Sequence, residues 1–78
     1  MIHNNQVSRS TFFQELISRP NKALKMASNI TDTLPLIKDD KEAMLEAIGQ
    51  LQICLMAIAE QNEIDYNEAL RIAFEKNK

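Results

Sequence analysis

Two carboxylates one helical turn apart can hold a cation between them, and Glu42 and Glu46 stand at that spacing. Residues at i and i+4 share a helical face, so the pair offers oxygen ligands of the kind a hard divalent ion takes. The same spacing also describes an ordinary solvated face. His3 has no second His, Cys or Asp at ligand spacing, and no metal role is expected of it. Cys54 is the only cysteine, which excludes an internal disulfide. It sits among Ile53, Leu55 and Met56 with no histidine close in sequence to activate it, so its thiol should behave as a small hydrophobe. Arg19, Lys22 and Lys25 form a short basic group that a nucleic acid could use. No aromatic platform accompanies them and the pI is about 5.3, so the usual basic footprint is missing.

The element that must position Glu42, Glu46 and Cys54 is one long helix over residues 39–63. Met44, Ile48, Leu51, Leu55 and Ile58 step by four, three, four and three, the stripe of a core-facing helix. Ile53, Met56 and Ala57 fall on other faces, and a helix apolar nearly all round needs cover on more than one side. The spacing therefore predicts a homo-oligomer, dimer or tetramer, with an interface over Leu51, Ile53, Leu55, Met56 and Ile58. Gly49 inside this helix predicts close approach of another backbone or a ligand, since glycine there costs about 1 kcal/mol relative to alanine. The longest uninterrupted apolar run, residues 53–59, falls short of the roughly 20 residues that cross a bilayer, so no membrane-spanning segment is expected.

Three further helices are expected around the long one. Ser10 is placed to cap a helix over residues 11–18, with Phe12, Phe13, Leu16 and Ile17 on one face, and Pro20 should end it. A medium helix should begin at about Asn21 as its cap, carry Ala23, Met26, Ala27, Ile30 and Leu34 as its apolar stripe, and stop or kink at Pro35. Asp39 with Glu42 reads as the capping pair of the long helix, and Asp65 with Glu68 as that of a last helix over residues 66–76. Residues 1–9 have no periodicity and read as a flexible tail before a single domain over 10–78. The fold class expected is all-α, a bundle of short, medium, long and short helices.

Composition adds bounds. A chain of 78 residues is one small domain that buries only roughly 60% of its unfolded surface, so a partner subunit would aid it. Net charge is -2, but residues 1–38 hold five basic against two acidic groups and residues 39–78 four against nine. No charged-then-apolar leader is seen, which makes the cytoplasm the expected compartment.

Asp40-Lys41-Glu42-Ala43, Ile48-Gly49, the apolar run into Ala59-Glu60-Gln61, and Ile64-Asp65-Tyr66-Asn67-Glu68-Ala69-Leu70 closing on Glu75-Lys76-Asn77 stand in that order. Over roughly residues 22–78 the chain resembles the MazG-like nucleotide pyrophosphohydrolases. The resemblance implies an all-α bundle completed by oligomerisation and, in active members, hydrolysis of nucleoside triphosphates to monophosphate and pyrophosphate with Mg2+. The family holds that metal with a Glu-Glu-x-x-Glu motif on the medium helix and a Glu-x-x-Asp motif on the long one. Those motifs fall on Ser28, Asn29 and Asp32, and on Ala47 and Gln50, so only Asp32 keeps a carboxylate. Lys76 and Asn77 match groups that the family sets near the nucleotide, while the arginine expected just beyond them is missing.

The resemblance thus implies a catalytically degenerate, non-hydrolytic oligomer with no catalytic residue and no cofactor, binding a protein or a nucleotide, of the kind a phage or mobile element would encode as an accessory protein. The alternative is an active pyrophosphohydrolase with an altered Mg2+ site built from Asp32, Glu42 and Glu46. A helical nucleic-acid binder using Arg19, Lys22 and Lys25 is the third and weakest reading.

Overall fold

The computed structural model of the chain describes residues 10–77. The tail over residues 1–9, with His3, lies outside them. Four helices make up the described residues, in which no strand occurs, and the all-α class expected from periodicity is what is observed.

Helix α1, Thr11–Ser18, starts where an extended Ser10 lets its Oγ accept the Phe13 amide at 3.3 Å. Only Arg19 separates it from α2, Pro20–Thr33. Pro20 therefore does more than end α1: it opens α2, one residue before the expected start, and Asn21 is not the cap. Proline suits the first helical position because its missing N–H would have no partner there and its fixed φ is already helical. At the other end Pro35 sits inside the 3-10 turn Leu34–Leu36, which closes α2 as its ring requires.

Helix α3, Lys41–Gln61, is capped by Asp40, whose Oδ1 accepts the Ala43 amide at 3.1 Å. Asp39, the expected cap, lies in the preceding turn; Asp40 has the extended backbone that a cap needs. The helix ends in a Schellman turn: the Glu63 amide donates to the Glu60 carbonyl at 3.1 Å and the Ile64 amide to Ala59 at 2.8 Å, with Glu63 in the left-handed region at φ 56°. Helix α4, Tyr66–Lys76, begins at Asp65, whose carboxylate accepts the Asn67 and Glu68 amides, as its sequence predicts. On its surface Arg71 bridges Glu68 and Glu75 at 2.5 and 3.0 Å.

The spine of the bundle is α3. Helices α1 and α2 lie along it, and α4 touches it lightly without burying any residue of its own. The core holds Phe13, Leu16, Ala23, Cys54 and Ala57, with Phe12, Ile17, Met26, Ala27, Ile30, Ile53, Met56 and Ile58 packed partly buried around it. On α3 the inner face is thus not Met44, Ile48, Leu51, Leu55 and Ile58. It is the row one residue earlier, Ala43, Ala47, Gln50, Cys54, Ala57 and Gln61, about 100° round the helix. Small side chains win this face because they let α1 and α2 come close, while Phe13 and Leu16 fill the volume from the opposite side. Ile48 and Leu55 remain 51% and 42% exposed.

Three further features mark α3. Of the five residues assigned to an interface, Ile53, Met56 and Ile58 pack against their own chain's core, Leu51 is half-buried and Leu55 stays exposed. Gly49 has nothing within 4 Å of where a Cβ would stand, so no backbone approaches it within the described chain. Finally, α3 does have the length and mean hydropathy, 1.3 over its most apolar window, of a helix that could cross a bilayer, with 17% of that window buried. The short unbroken run 53–59 understates this, because Gln50 and Gln52 interrupt the helix without making it polar.

Candidate functional site

Between α2 and the first half of α3 lies an open cleft of about 230 Å³ lined by Met26, Asn29, Ile30, Thr33, Ala47 and Gln50. Around Ala23, Cys54 and Ala57 the helices are in contact, whereas further along α3 turns the small Ala47 and the exposed Gln50 towards α2 and a gap opens. The α2 side supplies Asn29 and Thr33 one turn apart, with the Thr33 hydroxyl donating to the Asn29 carbonyl at 2.8 Å. Across the gap, Gln50 donates from Nε2 to Glu46 Oε1 at 3.4 Å, a long contact on an exposed face.

The cleft therefore brings together three of the five positions that the resemblance assigns to a metal site, Asn29, Ala47 and Gln50. Ser28 and Asp32 are exposed and do not line it. What it presents is two primary amides, one hydroxyl, one thioether and hydrocarbon. Such neutral donors do not fit Mg2+, which is held through carboxylates and phosphate oxygens. Glu42 and Glu46 are both exposed on α3, and among the described residues no three His, Cys, Asp or Glu side chains come together as a metal-holding group, so Asp32, Glu42 and Glu46 are not gathered into one.

The remaining candidates lie elsewhere. Lys76 and Asn77 are exposed at the end of α4, and Asn77 closes that helix by donating from Nδ2 to the Ala73 carbonyl at 2.8 Å. In the basic group, Lys22 is paired with Glu15, and the hydrogen bond from its ammonium holds the Glu15 carboxyl below its ordinary value. The group accordingly offers a polyanion less free positive charge than its sequence suggests. Cys54 is fully buried, and burial pushes its thiol up, away from the reactive thiolate.

Two contributors were not singled out from sequence. Thr33 lines the cleft, and its one signal is its place four residues after Asn29. Gln61 spans the molecule: its Nε2 donates to the Leu16 and Ile17 carbonyls at 2.6 and 3.2 Å, sharing the Leu16 oxygen with the Arg19 amide and fastening the end of α1 to α3. Its signal is its position on the inner row with Cys54 and Ala57. No known protein family, curated protein or solved structure matches this chain.

Proposed function

We propose that the chain is a MazG-like helical bundle that keeps the scaffold without the metal chemistry, and acts as a cytoplasmic homo-oligomer that binds a protein or nucleotide without hydrolysing it. One observation carries this reading. Asn29, Ala47 and Gln50 meet across α2 and α3, as the two halves of the family's metal site must, yet they bring amides and a methyl where the family has carboxylates. A triphosphate adds several negative charges, and a cleft with no cation of its own and no means of holding Mg2+ does nothing to offset them. The exposed apolar side chains of α3 and α4, among them Leu45, Ile48, Leu55, Leu70 and Phe74, support the oligomeric part of the reading.

The test is activity followed by restoration. Purified protein should release no pyrophosphate from standard or deoxy nucleoside triphosphates with Mg2+ or Mn2+. The variant Ser28→Glu, Asn29→Glu, Ala47→Glu and Gln50→Asp, with Asp32 retained, should gain divalent-metal binding measurable by calorimetry. Hydrolysis by the unmodified protein that disappears in Glu42→Gln or Glu46→Gln would overturn the reading in favour of the altered-site enzyme. A folded quadruple variant that binds no metal would remove the register on which it rests.

A further inference from the structure

Helix α4 turns an apolar face to solvent. At about 100° per residue Tyr66, Ala69, Leu70, Ala73 and Phe74 fall within one arc of about 140°. Leu70 and Phe74 on that arc are 43% and 75% exposed. Glu68, Arg71 and Glu75 lie outside it, tied together by the two Arg71 bridges. Helix α3 carries a matching surface. The row one residue after its inner row, Met44, Ile48, Leu51, Leu55 and Ile58, has the spacing of a face that receives a helix, and none of the five is fully buried. The two surfaces are not in contact along their length, because α4 touches α3 only lightly and stands off the bundle beyond the turn over residues 62–65. The molecule is almost as broad as it is long, 34 against 36 Å.

We infer that α4 is a hinged flap that closes over the exposed row of α3, making the last two helices an antiparallel hairpin. A link of four residues, 62–65, suits such a hairpin. The hinge is bracketed by bonds that survive the motion. Before it the Schellman turn holds the Glu63 and Ile64 amides, and after it the Asp65 carboxylate holds the Asn67 and Glu68 amides. Rotation about ψ of Ile64 and φ of Asp65 lies between the two and breaks neither. Eleven residues at about 1.5 Å each give α4 a reach of about 16 Å, enough to run back along α3 from Gln61 to about Leu51. Ala73 then comes level with Leu55, and Leu70 with Ile58. The driving force is apolar area taken from water on both helices at once. Closure buries no charge, since Glu68, Arg71 and Glu75 face away and the acids of α3, Glu42, Glu46 and Glu60, fall on the far side of that helix from the row. The two faces also share one chain, so their encounter does not depend on protein concentration. Closing hides apolar surface through which the function proposed above has copies associate, and opening presents it; this regulatory part rests on that reading, whereas closure itself does not.

The experiment is disulfide trapping in the full chain with Cys54→Ala, helicity being checked by circular dichroism and mass by light scattering. If Cys54→Ala unfolds the protein, the same pairs are read with the buried Cys54 retained. Leu55→Cys with Ala73→Cys should lose both introduced thiols within one chain on mild oxidation at low micromolar concentration. Leu55→Cys with Glu75→Cys, on the side of α4 that faces away, should keep them. No bond within the chain for the first pair, or equal bonding in both pairs, would overturn the flap. Bonds formed only between chains would overturn it as well, giving the row to another copy and leaving the oligomeric reading intact. Where the reduced protein assembles, trapping the first pair should bring it to the mass of one chain, and assembly undiminished by trapping would overturn the gating. A reduced protein that is a monomer, with the first pair still closing, would remove the oligomeric reading and uphold the flap.

Discussion

Glu63 is the one described residue other than glycine with a positive φ, and it occupies the place in the Schellman turn where glycine is the usual occupant. A side chain held in the left-handed region costs about 1 kcal/mol. Glu63→Gly should consequently raise stability by about 0.5–1 kcal/mol, read as a higher urea midpoint at unchanged slope. At this scale the sequence was legible wherever one polar atom meets one amide. Ser10 and Asp65 cap the helices they were expected to cap. Asp40 displaced Asp39 because two adjacent aspartates carry the same chemistry and only the backbone decides which is extended. Part of the cleft's lining had been named beforehand: laying the family's motifs on the chain picked out Asn29, Ala47 and Gln50, although none keeps the motif's carboxylate, whereas Thr33 had no motif to mark it.

Among the elements, α3 shows what periodicity leaves open. Two rows offset by one residue satisfy the same four-three rule, and hydrophobicity favours the row with the larger side chains. Volume decides otherwise, since a face built of Ala47, Cys54 and Ala57 admits neighbouring helices at short range and a face of isoleucine and leucine does not. Gly49 belongs to neither row, and open space lies beside it. Gly49→Ala should therefore stabilise the helix by about 1 kcal/mol through propensity alone, seen as a raised thermal midpoint with the oligomeric state unchanged. A loss of stability on adding that methyl would mean that another chain comes close there. The boundary between α1 and α2 was the other ambiguity, because one proline both terminates and initiates.

For the whole molecule, the fully enclosed interior is small: Leu16 and Cys54 are its largest completely buried side chains. A domain of this size has little stability to spare, so Leu16→Ala, costing about 2–5 kcal/mol, should leave the protein largely unfolded by circular dichroism at room temperature. Leu36→Ala, at a position 83% exposed, should be close to neutral in the same measurement. The order of the helices was legible because each has its own caps and breakers. The packing of α4 was not, since its sequence is amphipathic and gives no measure of how much of that face a neighbour covers. That light attachment has a dynamic consequence. An eleven-residue helix is marginal by itself, and α4 adds few contacts beyond the Schellman turn that precedes it. The cooperative folding unit should then end near Gln61, where the side-chain bonds to α1 close it, and α4 should open and reclose as a separate unit more often than the bundle unfolds. Its backbone amides should trade protons with solvent on their own clock, ahead of those in the middle of α3, when followed by hydrogen exchange.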